Sequence, residues 1–184
     1  KSVFKKLGVD STKTVVIFVG RITKVKDIEF LLRYFIEENP ENAVCAVVGS
    51  GPEKEIYEKK YVSENIKFVG VQRGVNLQKI YASADLYVLP SASETLGKTV
   101  LEAMASGTAV VVSDKGGPKD YVTHGKNGAV FKAHNYPSFK QAMDKLLVKR
   151  ENLKFLGENA REAMGNHTDE KLFESFTGHV AELL

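Results

Sequence analysis

The sequence predicts an α/β fold: a Rossmann-like parallel sheet of about six strands, flanked by helices and followed by a helical C-terminal tail. Two observations carry this prediction. From Thr14 to Phe131, short apolar runs alternate with amphipathic segments, as in parallel strands joined by right-handed helical crossovers. After Phe131 the amphipathic segments follow one another with no apolar run of strand type between them.

The predicted strands are short runs rich in valine, isoleucine and alanine. Three of them are almost continuously apolar, which is typical of strands that are covered on both faces. The runs comprise residues 14–19, 43–48, 66–69, 85–89, 109–113 and 128–131.

The predicted helices show apolar residues at helical spacing, as Ile28, Leu31, Leu32 and Phe35 do in the first of them. Residues 2–7 are also helix-like. The helices between the strands are 27–38, 52–62, 77–83, 98–106 and 118–122, and those of the tail are 137–149, 151–165 and 169–184.

Length and composition limit the classes of protein. A chain of 184 residues, with 43% hydrophobic and 27% charged residues, is expected to form one domain with a sizeable core. No apolar run is long enough to cross a bilayer, and no segment reads as a signal peptide. The net charge of +3 comes from scattered lysines, which does not favour nucleic-acid binding. Because the chain opens on a helix-like segment without methionine, we expect one domain of a longer polypeptide.

Cysteine and histidine usage predicts neither a disulfide nor a metal site. Cys45 is the only cysteine and lies within an apolar run, so it is expected to be a buried small side chain. A lone cysteine fits a reducing compartment. The four histidines show no metal-ligand spacing.

The loops that leave the predicted strands are where a ligand is expected, because open parallel sheets bind ligands beyond the carboxyl ends of their strands. These loops comprise residues 20–26, 49–52, 70–75, 90–97 and 113–117, and most carry glycine. The first lacks both the G-x-G-x-x-G dinucleotide fingerprint and the phosphate-loop motif. It offers Arg21 and Lys26 instead, which suit a phosphate but equally fit a solvated basic loop.

Two carboxylates stand on either side of a predicted helix N-terminus. Glu94 precedes the helix and Glu102 lies one turn inside it, with Gly97 and Lys98 at its start. The unpaired N–H groups of a helix start bind anions, and acids there can also merely complement the helix dipole. Glu102 interrupts an otherwise small and apolar helix, where a charge is costly unless it is used. The pattern therefore suggests a ligand with a phosphate centre and hydroxyl-rich ends, such as a sugar nucleotide.

With these motifs in this order, the sequence resembles the retaining glycosyltransferases of the GT-B fold, group 1 or family 4. The resemblance covers residues 15 to about 184. Its motifs are Gly20-Arg21 with Lys26, Gly49-x-Gly51, Phe68-x-Gly70, Ala84-Asp85 with Leu89-Pro90-Ser91, Glu94-x7-Glu102, Ala103-Met-Ala-Ser-Gly107, Gly116-Gly117-Pro118 and Gly125-Lys-Asn-Gly128.

The resemblance implies a role for each position of the site. Arg21 and Lys26 would hold the diphosphate of a nucleotide-sugar donor, Glu102 would bind the ribose hydroxyls, and Glu94 would contact the hexose near its reacting carbon. Glu94, Arg21 and Lys26 are thus the implied catalytic residues. The N–H groups around Gly97, Lys98 and Thr99 would complete the phosphate site, residues 68–71 including Val71 would frame the base, and Gly20 and Leu96 would line the donor.

The resemblance also implies transfer of a hexosyl unit with retention of configuration and without a metal or other cofactor. It matches only the donor-binding half of the GT-B fold, so a glycan or lipid acceptor would bind through an absent N-terminal domain, which would also provide any membrane contact, and the isolated domain is expected to be inactive. Family members suggest UDP as the nucleotide and a cytoplasmic location, peripheral to the inner membrane face. Leu96, Lys98 and Ala109 depart from residues common in the family. A sugar-nucleotide epimerase-like domain and a non-catalytic scaffold derived from a transferase are the alternatives.

Overall fold

The computed structural model describes residues 1–165, and in it six parallel strands form one sheet. The strand order across the sheet is β3-β2-β1-β4-β5-β6. The strands are β1 (Thr14–Val19), β2 (Ala43–Val48), β3 (Ile66–Gly70), β4 (Leu86–Leu89), β5 (Ala109–Ser113) and β6 (Ala129–Phe131).

Helices connect successive strands and cover the sheet. Short 3-10 helices lie at Lys24–Lys26 and Gly117–Asp120. The α-helices are α1 (Ser2–Lys6), α2 (Glu29–Glu37), α3 (Lys54–Lys60), α4 (Gly74–Ser83), α5 (Lys98–Ala105), α6 (Tyr136–Leu147) and α7 (Arg150–Met164).

The predicted fold class is confirmed, and three of the six strands have the predicted bounds. The first predicted helix begins later than expected, at Glu29, because Asp27 has left-handed backbone geometry (φ 50°) that ends the preceding 3-10 helix. Helix α4 begins earlier than expected, at Gly74; its first turn carries no buried apolar residue, so the apolar pattern did not reveal it. The predicted helix at 118–122 is a 3-10 turn, and the one at 169–184 lies outside the described residues.

The central strands are buried along their whole length, as their uniform apolar sequences predict. Every residue of β1, β2, β4 and β5 is buried, including Cys45. Burial raises the pKa of the Cys45 thiol, so it is a core side chain and not a reactive group. Within residues 1–165, no helix has the length and apolar character required to span a membrane.

The strand order reverses between β1 and β4, which pair side by side although β2 and β3 lie between them in sequence. At such a switch point the loops that leave the two neighbouring strands run in opposite directions and open a crevice between them. The loop after β1 and the loop after β4 are therefore the two that frame the candidate site.

Candidate active site

A cavity of about 380 Å³ lies at the carboxyl ends of β1 and β4, and we call it the main cavity. Side chains and backbone from the two switch-point loops and from the start of α5 line it. The lining comprises Val19, Gly20, Arg21, Lys26, Leu89, Glu94, Thr95, Leu96, Gly97, Lys98 and Thr99. The structure thus brings together both predicted cations, one predicted carboxylate and the predicted helix start.

Lys26 and Glu94 form an ion pair across the main cavity. The Lys26 ammonium donates to Glu94 Oε1, and only 14% of the Glu94 side chain is exposed. Arg21, in contrast, is exposed, and no ion pair within the described part of the chain involves it. Of these two cations, Lys26 is therefore matched by a carboxylate, and Arg21 is available to an anion.

Two serine hydroxyls fix the loop that carries Glu94. The Ser91 hydroxyl donates to the Val25 carbonyl (3.1 Å), which ties this loop to the one that carries Lys26. The Ser113 hydroxyl donates to the Ser91 carbonyl (2.8 Å), which ties it to the end of β5. The separation between Lys26 and Glu94 is thus set by hydrogen bonds as well as by their mutual attraction.

The start of α5 is built to leave its first N–H groups open. Gly97 precedes the helix with left-handed geometry (φ 64°), and no side chain of residues 1–165 caps it. Bulk is excluded at this position, since a Cβ on Gly97 would stand 2.6 Å from Pro118 Cγ. The Tyr121 hydroxyl donates to the Leu96 carbonyl and fixes the approach to the helix. Burial and the charge of Glu94 raise the pKa of Tyr121 to about 12, so this donor keeps its proton.

Thr99, in the first turn of α5, is held by a buried tyrosine that the sequence reasoning missed. The Tyr87 hydroxyl, on β4, donates to Thr99 Oγ1 (2.7 Å), and the Tyr87 ring is fully buried. Because Thr99 Oγ1 accepts this bond, its own hydroxyl hydrogen is free to point into the main cavity. The sequence could have indicated this role, because Tyr87 is the only hydroxyl-bearing residue of the otherwise aliphatic strand β4.

Two other predicted residues, Val71 and Glu102, line two other cavities. Val71 and Gln72 line a second cavity of about 260 Å³, which shares Arg21 and Gly20 with the main cavity. Phe68, predicted to frame a base, packs partly buried against the core instead. Glu102 lines a third cavity of about 310 Å³ between α4 and α5, with Gly74, Leu77, Gln78, Tyr81 and Ser106. Glu94 and Glu102 therefore do not share one cavity.

Comparison with known proteins assigns the family. The family description "Glycosyl transferases group 1" matches residues 1–163. The chain belongs to the group 1 glycosyltransferases. Sulfoquinovosyl transferase SQD2 of Arabidopsis thaliana is 40% identical over 153 residues, which are 82% of this chain and 30% of that protein. A D-inositol 3-phosphate glycosyltransferase of Nocardia farcinica is 32% identical over 193 residues, covering 96% of this chain and 43% of that protein. This group 1 chain thus spans less than half the length of these curated relatives.

Solved structures show the same fold at low sequence identity. HepE of Anabaena in complex with UDP has a TM-score of 0.82 and 19% identity, over 98% of this chain and 52% of that one. The C-terminal domain of the group 1 protein LpcC of Francisella tularensis has a TM-score of 0.79 and 20% identity, over 90% of each chain. The group 1 fold is therefore that of one Rossmann-like half of a GT-B enzyme.

The described residues offer this group 1 domain no evident metal centre: within residues 1–165 no three His, Cys, Asp or Glu side chains are grouped so as to hold a metal ion. The two histidines that the structure describes have other contacts. His124 Nδ1 accepts the Val130 N–H (3.1 Å), and His134 lies 3.8 Å from Asp27. Independence from metal remains a prediction.

Proposed function

We propose that this chain is the donor-binding domain of a retaining glycosyltransferase that transfers a hexosyl unit from a nucleoside-diphosphate sugar to a glycan or lipid acceptor. The observation that carries the proposal is the main cavity, where Arg21, Lys26, an open helix N-terminus and a mostly buried carboxylate converge at the switch point. Because the chain spans under half of its curated relatives, we propose that the acceptor binds to another part of the polypeptide.

The diphosphate is proposed to bind to Arg21, Lys26 and the N–H groups of Lys98 and Thr99. A guanidinium offers two parallel donors to a phosphate, and the start of a helix adds a partial positive charge. When the bond from the anomeric carbon to the diphosphate oxygen breaks, negative charge accumulates on the departing group. Donors that are already in place stabilise that charge, so this electrostatic role requires no metal.

The hydroxyl groups of the donor are proposed to bind to the two carboxylates. Glu94 is at the edge of the main cavity, where it would accept hydrogen bonds from the transferred sugar once Lys26 turns to the diphosphate. Glu102 would accept the ribose hydroxyls in the third cavity, and Val71 would border the base in the second. The three cavities then correspond to phosphate, ribose and base.

UDP is the proposed nucleotide, and its support comes from structural relatives. HepE has been crystallised with UDP and with UDP-glucose, and it shares the fold of this chain with a TM-score of 0.82 in both complexes. We also propose a cytoplasmic site of action, with any membrane contact made elsewhere in the polypeptide.

Calorimetric titration of the 184-residue chain with UDP, GDP and ADP tests the proposal. We expect binding of at least one of them, and the double substitution Arg21→Ala/Lys26→Ala should weaken it roughly 30-fold or more, because each group makes a charge-assisted contact. Affinity for the corresponding nucleoside should change by less than about twofold. Lys24→Ala is the matched control, since Lys24 lies between them in sequence but does not line the main cavity.

Two outcomes would overturn the proposal. One is a folded chain that binds none of the three diphosphates, and the other is an equal loss of nucleotide and nucleoside affinity in the double variant. An assay of the complete polypeptide for donor-dependent glycosyl transfer separates the transferase from an epimerase-like or scaffold domain, because only the transferase forms a new glycosidic bond.

A further inference from the structure

The hydroxyl of Tyr81 is buried without a hydrogen-bond partner. Tyr81 lies on α4, only 2% of its surface is exposed, and its ring packs on that of Tyr87 at a centroid separation of 6.1 Å. Among the residues that the structure describes, nothing hydrogen-bonds to its hydroxyl oxygen. Because a buried polar group without a partner is destabilising, such a group in a native fold calls for a physical reason.

This hydroxyl belongs to the third cavity, which also contains Glu102. Tyr81 and Leu77 form one wall from α4, and Glu102 and Ser106 form the other from α5. Burial raises the pKa of the Tyr81 hydroxyl, and the exposed Glu102 carboxylate adds to this, through its charge and as an acceptor within reach of the hydroxyl. The hydroxyl therefore keeps its proton and lies within reach of the Glu102 carboxylate, without a well-formed hydrogen bond to it.

We propose that Tyr81 is a positioning residue: when the cis-diol of a ribose occupies the third cavity, the Tyr81 hydroxyl donates to the Glu102 carboxylate and orients it toward the diol. This inference rests on the proposed function, in which Glu102 accepts the ribose hydroxyls. A carboxylate has about four acceptor positions, enough for two ribose hydroxyls and one tyrosine at once. In the complex, the poorly formed contact between Tyr81 and Glu102 would thus become a full hydrogen bond.

Tyr87 provides a matched control on the opposite side of the tyrosine pair. Its hydroxyl already donates to Thr99 Oγ1 at 2.7 Å, in the first turn of α5. Tyr87→Phe removes an existing hydrogen bond, whereas Tyr81→Phe removes a hydroxyl that has none. In urea unfolding we therefore expect Tyr87→Phe to lower the midpoint and Tyr81→Phe to leave it unchanged or raise it.

The deciding experiment is calorimetric titration of the 184-residue chain with UDP and with 2′,3′-dideoxy-UDP, which lacks the diol. Tyr81→Phe should weaken UDP binding about three- to tenfold and change dideoxy-UDP binding by less than about twofold. In a Glu102→Ala background, the same substitution should have no further effect on UDP binding. Tyr87→Phe should weaken the binding of both ligands by the same factor. Its partner Thr99 lines the main cavity, where the diphosphate that both ligands share is proposed to bind.

The outcomes separate this inference from the proposed function. If the wild-type chain binds UDP and Tyr81→Phe leaves UDP affinity unchanged, or weakens UDP and dideoxy-UDP equally, the positioning role is wrong and the proposed function stands. If the wild-type chain binds UDP no better than dideoxy-UDP, Glu102 does not bind the diol and the inference fails with it. If the wild-type chain binds no nucleoside diphosphate, the proposed function itself is overturned.

Discussion

Lys26 and Glu94 are 68 residues apart in sequence and neutralise each other in the main cavity. A carboxylate that is mostly buried requires a compensating charge, and breaking such a pair leaves the remaining group uncompensated. Donor binding, as proposed, would give both groups new partners: the diphosphate for Lys26 and the sugar hydroxyls for Glu94. The ion pair holds both side chains in the main cavity, near the positions where these new partners would bind.

Substitution of Glu94 should therefore separate binding of the nucleotide from use of the sugar. In Glu94→Gln, Lys26 loses its charged partner and is freer to bind phosphate, so we expect UDP affinity to be unchanged or up to about threefold higher. Transfer by the complete polypeptide should fall roughly 100-fold, because a contact near the reacting carbon is weakened. Calorimetry and a transfer assay measure the two effects.

Glu37→Gln, which alters an exposed ion pair with Arg33 on α2, is the control for a general charge effect. A parallel loss of UDP binding and of transfer in Glu94→Gln would show that Glu94 acts through the architecture of the cavity and not on the sugar.

At this scale the sequence located the charged residues of the main cavity, but it predicted neither the separate cavity of Glu102 nor the buried tyrosine hydroxyls. Arg21, Lys26, Glu94 and the start of α5 were predicted from their places in strand-end loops, and the structure gathers them around one cavity. Tyr81 could not be found in this way. It occupies an apolar position of a helix, and whether its hydroxyl has a partner depends on α5, which the local pattern does not reveal.

Among the elements, the loop after β5 supports the loop that carries Glu94. The Gly117 N–H donates to the Glu94 carbonyl (3.0 Å), so the two backbones lie in direct contact. A Cβ on Gly117 would stand 1.8 Å from the Thr95 carbonyl oxygen, which is far inside any allowed contact. The absence of a side chain at Gly117 is thus a requirement of packing between loops.

Gly117→Ala should therefore lower both stability and ligand affinity. We expect the free energy of unfolding to fall by about 2–3 kcal/mol, as for overpacking at a rigid site, and UDP affinity to fall with it as the Glu94 loop is displaced. Urea unfolding and calorimetry measure the two effects.

Gly125→Ala controls for backbone strain alone, because Gly125 has φ 77° but open space around its Cβ position. This substitution should lower the free energy of unfolding by about 1 kcal/mol and leave UDP affinity unchanged. A Gly117→Ala protein as stable as the wild type would contradict the close packing of the two loops.

Element boundaries were the part of the fold that the sequence predicted least well. The central strands needed only their apolar runs, because burial on both faces decides their composition. The start of α2 depended on the left-handed geometry of Asp27, whose carboxylate lies near the backbone N–H of Ala92. That contact comes from a distant loop, and a pattern read along one segment could not have shown it.

For the molecule as a whole, Asp85 joins distant parts of the chain at the end of the sheet opposite the site. Its carboxylate accepts the Val15 N–H (2.8 Å) and two N–H groups of Arg150, at 2.9 and 2.8 Å. Val15 is on β1, Asp85 immediately precedes β4, and Arg150 begins α7. This one carboxylate thus connects the two strands of the switch point to a C-terminal helix.

Removal of the Arg150 guanidinium should destabilise the fold without affecting the site. We expect Arg150→Ala to lower the free energy of unfolding by about 2–3 kcal/mol, because it leaves a mostly buried carboxylate short of its bidentate partner. Arg150→Lys should recover part of that loss, and UDP affinity should be unchanged in both. Urea unfolding measures the stability.

Lys154→Ala, on the same helix, breaks only an exposed 3.9 Å ion pair and should cost less than about 0.5 kcal/mol. If Arg150→Ala lowered the free energy of unfolding no more than Lys154→Ala does, the other partners of the Asp85 carboxylate would be sufficient to stabilise it.

The strand order has a consequence for what a bound nucleotide would do to the protein. β1 and β4 are joined in register through only two residue pairs, Val16 with Leu86 and Ile17 with Tyr87, and this narrow seam divides the sheet into two three-stranded halves. The cations come from one half, and Glu94 and the start of α5 from the other. A donor that contacts both halves would stabilise the folded protein across this seam. At a concentration 100 times its Kd, it would raise the free energy of unfolding by about 2.7 kcal/mol. The substrate would thus hold together the sheet that creates its own binding site.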